Sequence, residues 1–328
     1  MEKGGDELDS LFMSQNPGDI LRFYDNFSSS EELFDWMKNR RPAPIKLIEI
    51  DCENTFPGIV VIVPTANVES AMARYCRDVV FKGFRLVFVE SSGQYFNGSR
   101  SAVAGLKYIA RYNPKWIVIS SDDVISADAP AVLAEELSRK DHTRFDTVFT
   151  KPMGFYHSFP GTFGREYHLG QLFRNLAQYH NIDGYRILKK FHAHSWLHVA
   201  DFKTLYSDNN RGFAEGTDGS THPAMRFVLR FYNYFLRQKF DLIEFRSLFI
   251  ISGEFIGELD DILSDTTYVN SGGDIDLSIH LAKRNRMASI NYAIKFRVGA
   301  SLGASRARKL RDLAGDIYLD YKLKNGLL

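Results

Sequence analysis

Three groups of residues in this chain have types and spacings that could do chemistry. The first is Ser121-Asp122-Asp123, two adjacent carboxylates directly behind the apolar run Trp116-Ile-Val-Ile-Ser120. Such a β-branched run reads as a strand buried on both faces of a parallel sheet. Open α/β sheets bind ligands beyond the carboxyl ends of their strands, so Asp122 and Asp123 stand where a ligand is expected. A hard cation bridging two phosphates is one use for them, and capping the next turn is the other. The second group is Asp274 and Asp276 in Ser271-Gly-Gly-Asp-Ile-Asp-Leu277. Two glycines permit a tight turn, and the acids then open a helix whose positive end favours carboxylates. A structural role explains one of these acids well and both together less well. The third group is Phe191-His-Ala-His-Ser-Trp-Leu-His198, with Asp201 close behind. On a strand, His192 and His194 would share a face, a spacing suited to a metal and hence to hydrolysis. The competing reading is a set of histidines held by hydrogen bonds or lining an acceptor pocket.

The elements around the acid pair follow from periodicity and punctuation. Gly58-Ile-Val-Val-Ile-Val-Pro64 reads as a buried strand halted by Pro64, with Thr65 and Asn67 at its end and a helix over 68–80. Gly83 closes that helix, Arg85–Glu90 is the next strand, and a helix over 99–111 leads to Trp116. This is a βαβαβ unit with the polar ends of three strands on one edge. A helix over 129–137 and a strand over 147–150 follow. Residues 151–170, rich in Gly, Pro and aromatics, read as a long shaped loop. Helices are expected over 170–180 and 224–239, a strand over 247–252 and a helix over 255–263. Residues 1–56 form a helical N-terminal extension, with Ser30 capping a helix that runs to Lys38.

Bulk properties narrow the function classes. With 45% hydrophobic and 25% charged residues, the 328-residue chain can build a large core. Lys and Arg total 41 against 40 Asp and Glu, so no excess charge points to nucleic acid. The two cysteines, Cys52 and Cys76, supply neither a disulfide framework nor metal spacing. The acidic opening residues lack the apolar core of a signal peptide, so a cytoplasmic location is expected. Residues 277–311 contain no acid and nine Lys and Arg, which suits a diphosphate, an anionic membrane surface or a solvated face. The aromatic, Arg-bearing stretch 224–239 reads as a core helix with snorkelling arginines; a peripheral contact at the inner membrane surface is the alternative.

Taken in order, Pro64-Thr-Ala-Asn67, Val89-Glu90-Ser91, Ser121-Asp122-Asp123, Gly272-Gly-Asp-Ile-Asp-Leu277 and Phe296-Arg-Val-Gly-Ala-Ser301 resemble the motifs of the family 2 glycosyltransferases. The resemblance covers roughly residues 57–130 and 247–325. It implies a GT-A domain over 57–328, with a nucleotide-binding half at 57–130 and an insertion or acceptor region at 151–246. The segment 247–328 would then carry the catalytic base and a C-terminal helix. It further implies inverting transfer from a nucleotide-sugar donor to a glycan or lipid-linked acceptor, with Mg²⁺ or Mn²⁺ on the diphosphate. By the same resemblance Thr65, Asn67 and Glu90 would bind the nucleoside side, and Asp122 the ribose or sugar. Asp123 would reach the metal, Arg297 would clamp the diphosphate, and Asp274 would be the general base. Ser121, Gly273 and Phe296 depart from the family pattern, and feed the alternative of a degenerate protein that binds nucleotide or glycan without turnover.

Overall fold

Runs of β-branched and aromatic residues become one seven-stranded mixed sheet in the computed structural model of the chain. The structure describes residues 2–40, 43–50, 53–93, 96–150, 154–160, 183–193, 238–245, 248–263, 265, 267–269, 272–284, 286–297 and 306–327. The strands are β1 (Lys46–Ile50), β2 (Ile59–Thr65), β3 (Arg85–Glu90), β4 (Trp116–Ser120), β6 (Thr147–Thr150), β9 (Leu248–Ser252) and β10 (Met287–Ile290), in the order β1-β3-β2-β4-β9-β6-β10. β3, β2 and β4 are parallel neighbours, as are β6 and β10. β9 runs antiparallel between β4 and β6, and β1 runs antiparallel along β3. Five of the seven strands therefore point the same way, and their carboxyl ends share one edge.

Both faces of the sheet are covered. On one face lie α4 (Ala71–Tyr75), a π-helical turn (Cys76–Val80) and α6 (Pro130–Ser138), with Ala73, Cys76, Val80, Leu133 and Leu137 packed on Val61, Val63, Phe88 and Val118. A small ladder of β5 (Val124–Ala127) and β11 (Ile294–Phe296) extends this face. On the other lie α5 (Gly98–Ile109), α8 (Ile256–Leu263) and α9 (Gly273–Arg284), through Leu106, Ile109, Leu259, Leu277 and Leu281. This is a three-layer α/β arrangement of the kind expected for a nucleotide-binding sheet.

A separate apolar cluster joins the two ends of the chain. Helices α1 (Glu2–Met13), α2 (Pro17–Asp25) and α3 (Ser30–Asn39) bury Phe12, Ile20, Phe23, Leu33 and Met37 with α7 (Asp183–Lys190) and α10 (Arg306–Lys324). Buried Tyr24 donates to the Leu310 carbonyl at 2.8 Å, fastening α2 to α10.

Several sequence expectations change. The cap of α3 is Ser29, whose side chain accepts from Glu32 N, rather than Ser30. Pro64 does not halt β2: it lies opposite Val89, past the last β2–β4 pair (Ile62 with Ile119), where a missing N–H costs little. The helix expected from Val68 starts only after Ser70, whose hydroxyl caps Ala73 N. The extension also contributes strand β1 at the sheet edge, with Ile48 and Ile50 packed against one face and Leu47 against the other. Within the expected 151–170 loop, β7 (Gly154–Pro160) pairs antiparallel with β8 (Gln238–Phe245). β8 also claims Gln238 and Lys239 from the expected 224–239 helix, because alternation of Lys239, Phe240, Asp241 and Leu242 is a strand period. The rest of that helix, and the one over 170–180, lie outside the described residues. Among the described residues no helix is long and apolar enough to cross a membrane.

One glycine is indispensable to this topology. β9 turns into α8 at Gly253, whose N–H donates to the Lys115 carbonyl at 2.9 Å. A Cβ at Gly253 would sit 1.7 Å from the Pro114 carbonyl oxygen, a backbone atom that no rotamer change can move. Gly253→Ala is expected to destabilise the fold by about 3 kcal/mol or more, the upper range of overpacking. Urea unfolding checks this, and a loss below about 1 kcal/mol would mean that the β4 and β9 ends separate easily.

Candidate functional site

Parallel pairing sets the sequence-named residues side by side. Thr65 at the end of β2 lies opposite Glu90 at the end of β3, and Ser91 N donates to the Thr65 carbonyl at 3.0 Å. The Thr65 hydroxyl donates to Asp122 Oδ2 at 2.6 Å, linking the ends of β2 and β4. Glu90 accepts from Val68 N at 2.8 Å, and Asn67 Oδ1 accepts from Glu69 N at 2.8 Å. Glu90 and Asn67 thus each spend one oxygen on the turn after β2. Ser121 donates its hydroxyl to Asp123 Oδ1. The Ser91 and Thr150 hydroxyls, at the ends of β3 and β6, are buried without a hydrogen-bond partner. A polar ligand along this edge would supply one.

The far end of the chain returns to the acid pair. β11 pairs with β5 so that Phe296 faces Val124, and Arg297 N donates to the Asp123 carbonyl at 2.8 Å. Arg297 therefore belongs to the site through its backbone, with its side chain exposed. Phe296 packs on the apolar core of this face. Four other members of the basic run lie apart from Arg297. Arg284 and Arg286 bind Asp146 at the opposite, amino edge of the sheet, Arg306 pairs with Asp183, and Arg311 is buried in the helical cluster. No single basic face forms from these residues.

The surroundings of the acid pair disfavour charge on Asp122. Burial pushes the Asp122 carboxyl above its ordinary range; the Thr65 hydrogen bond opposes the shift and the neighbouring Asp123 charge adds to it. Cys76, in the π-helical turn, donates its thiol to the Asp122 carbonyl at 3.5 Å. Burial first, then Asp122 and Asp123, push that thiol up to about 12, so it stays protonated. Two half-buried carboxylates with oxygen donors around them fit a small hard cation, since Mg²⁺ needs only one or two protein carboxylates when phosphates and water complete its shell. No group of three or more His, Cys, Asp or Glu suited to a metal occurs among the described residues.

A carboxyl with a raised folded-state pKa binds its proton more tightly in the folded chain. Its stabilising contribution is present below the ordinary carboxylate range and lost as pH rises through the raised value. Asp122→Asn abolishes this titration. Wild-type stability relative to Asp122→Asn, from urea unfolding between pH 3.5 and 7, should fall as pH rises, and a flat difference would remove the burial argument.

The second acid group divides cleanly. α9 leads into β10 at the amino edge, where Asp146 N donates to the Arg286 carbonyl at 2.8 Å, so its first turn lies toward the carboxyl edge. Asp276 is buried and accepts from Tyr268 Oη at 2.8 Å and Lys322 Nζ at 2.6 Å. It is the structural acid of the pair. Asp274 is half-buried in the same first turn. Tyr268 and Lys322 are functional candidates that the sequence reading missed. They stand 8 and 46 residues from Asp276, without any motif spacing.

His192 is not on a strand. It follows α7 with φ of 52°, and Ala193 N donates to Leu188 O at 2.8 Å while His192 N donates to Lys189 O at 3.2 Å. This is a Schellman-type helix end, so His192 shapes a C-terminus and strand alternation does not pair it with His194. His194, His198 and Asp201 lie outside the described residues.

No family model and no curated protein matches this chain. The functional reading therefore rests on the residues and their arrangement.

Proposed function

We propose that this protein is an inverting glycosyltransferase of the GT-A, family 2 type, moving a sugar from a nucleotide-sugar donor to an acceptor hydroxyl. The observation that carries the reading is the meeting of Thr65, Glu90, Asp122 and Asp123 with the Arg297 backbone on the carboxyl edge of a mixed, mostly co-directional sheet. That edge is where such sheets hold nucleotides. The hydroxyls of Ser91 and Thr150 support a polar ligand there.

In this reading Glu90 and the turn held by Asn67 border the nucleoside, and Thr65 fixes the orientation of Asp122. Asp123, oriented by Ser121, would hold Mg²⁺ or Mn²⁺ with Asp122 beside it, and such an ion supplies Lewis-acid stabilisation of a leaving diphosphate. The Arg297 guanidinium, carried on backbone tied to Asp123, would add a bidentate phosphate contact. Asp274 would accept the proton of the attacking acceptor hydroxyl. A glycan or lipid-linked acceptor and a cytoplasmic setting belong to the same proposal.

The melting temperature measured with UDP, GDP, dTDP and their sugars, with and without Mg²⁺ or Mn²⁺, tests the reading. Binding to the folded state raises the melting point by linkage. A rise of several degrees with one nucleotide, enlarged by metal and lost in Asp123→Ala, is expected. A flat panel with well-folded protein would overturn donor binding. Binding without donor turnover would favour the degenerate reading that Ser121, Gly273 and Phe296 suggest.

A further inference from the structure

The first turn of α9 is gripped from a distant part of the chain. Lys322, near the end of α10, donates to Asp276 at 2.6 Å and to Asp265 at 2.9 Å, with its side chain only 8% exposed. Tyr318, one turn earlier on α10, donates to Asp265 at 2.8 Å, and its ring meets Tyr268 edge-on at 5.1 Å. Tyr268 donates to Asp276, and its own carbonyl accepts from Asn97 Nδ2 at 2.5 Å. Asn97 is the cap of α5, just beyond the end of β3. At Gly272 φ is +102°, and a Cβ would lie 2.8 Å from the Tyr268 ring. The turn entering α9 is thus pinned between Tyr268 and α10, with glycine required where they meet.

Two carboxylates share one ammonium in this buried cluster, and His280 Nε2 stands 3.2 Å from Asp276 Oδ1. Burial alone would lower the Lys322 pKa, but Asp276 and Asp265 outweigh it and hold the ammonium charged. Successive helical residues are about 100° apart, so anchoring Asp276 toward α10 turns Asp274 about 200° away around the axis. The orientation of Asp274 is then a consequence of where Asp276 is held.

We propose that Lys322 is a positioning residue for the candidate base: by binding Asp276 and Asp265 across helices it fixes the first turn of α9, and Asp274 with it. The catalytic half of the inference rests on the transfer proposed above, while the structural half does not. Because α10 also builds the cluster with α1, α2 and α3, Lys322 links that helical unit to the site.

Amide hydrogen exchange over residues 273–278, in wild type, Lys322→Met and Tyr268→Phe, tests it together with donor kinetics. Exchange over 273–278 is expected to rise at least tenfold in Lys322→Met and less in Tyr268→Phe, with α5 unchanged. Should Lys322→Met not fold, Tyr268→Phe decides alone. In turnover, kcat should fall at least tenfold with donor KM within twofold of wild type. Unchanged exchange over 273–278 overturns the proposal, and so does an equal rise across α5 and α9, which would mean general loosening. If wild type shows no turnover while exchange responds as expected, the transfer reading fails and the positioning of this turn stands.

Discussion

Asp274→Asn should lower the proposed sugar-transfer turnover about 10²–10⁴-fold, the range that a positioned general base contributes. The amide preserves size but cannot accept the proton of an acceptor hydroxyl. The proposed nucleotide edge lies on other elements, β2, β3 and β4, so donor-induced stabilisation should persist in this variant. The loss should fall mainly on kcat, because the missing interaction acts as the acceptor proton leaves. Steady-state kinetics with the donor found in the melting panel measures this. Retained turnover would place the base elsewhere. Loss of activity in His192→Ala and His194→Ala, with Asp274→Asn harmless, would instead favour hydrolysis at the histidines.

The second large effect concerns stability. Asp9 on α1 and Arg40 beyond α3 form an ion pair at 2.6 Å with side chains 7% and 4% exposed. The guanidinium also stands 5.3 Å from the Phe12 ring centroid and 5.6 Å from that of Trp36. Asp9→Ala removes the carboxylate from this buried cation. Breaking a buried pair from one side costs roughly 3–5 kcal/mol. The same helices pack, through Phe12, Phe23 and Leu33, onto α10, which carries Lys322. Urea unfolding followed by far-UV circular dichroism is expected to show that loss. A change under about 1 kcal/mol would mean that the remaining contacts of Arg40 hold this cluster together without Asp9.

The strands around the acid pair were legible because their signal is local. Ile59 to Val63 and Trp116 to Ile119 are uninterrupted apolar runs, and each ends at a polar residue that the sheet then aligns. β1 was less legible: its five residues alternate weakly and follow two prolines, so only the exposed edge of β3 gives them a place. The antiparallel placement of β9 between β4 and β6 has no local signature, since it depends on which gap the intervening chain leaves open. The placement of Thr65 and Glu90 at strand ends, and of Asp122 and Asp123 just past the end of β4, could be foreseen because each follows an apolar run. Separating Asp274 from Asp276 could not, because the partners that bury Asp276 come from residues 268 and 322. The basic run was misleading for a related reason. Arg284 and Arg286 answer Asp146, more than 130 residues earlier, and a count of charges cannot register such a partner.

The most direct test of a nucleotide-sugar site at the strand ends is to titrate Mn²⁺ into isotopically labelled protein, alone and with the best-binding nucleotide, and follow amide line broadening. Broadening centred on residues 65–68, 90–93, 121–124 and 297, and strengthened by the nucleotide, is the expected result. Broadening centred on residues 190–193 instead, indifferent to nucleotide, would contradict it and move the chemistry to the histidines.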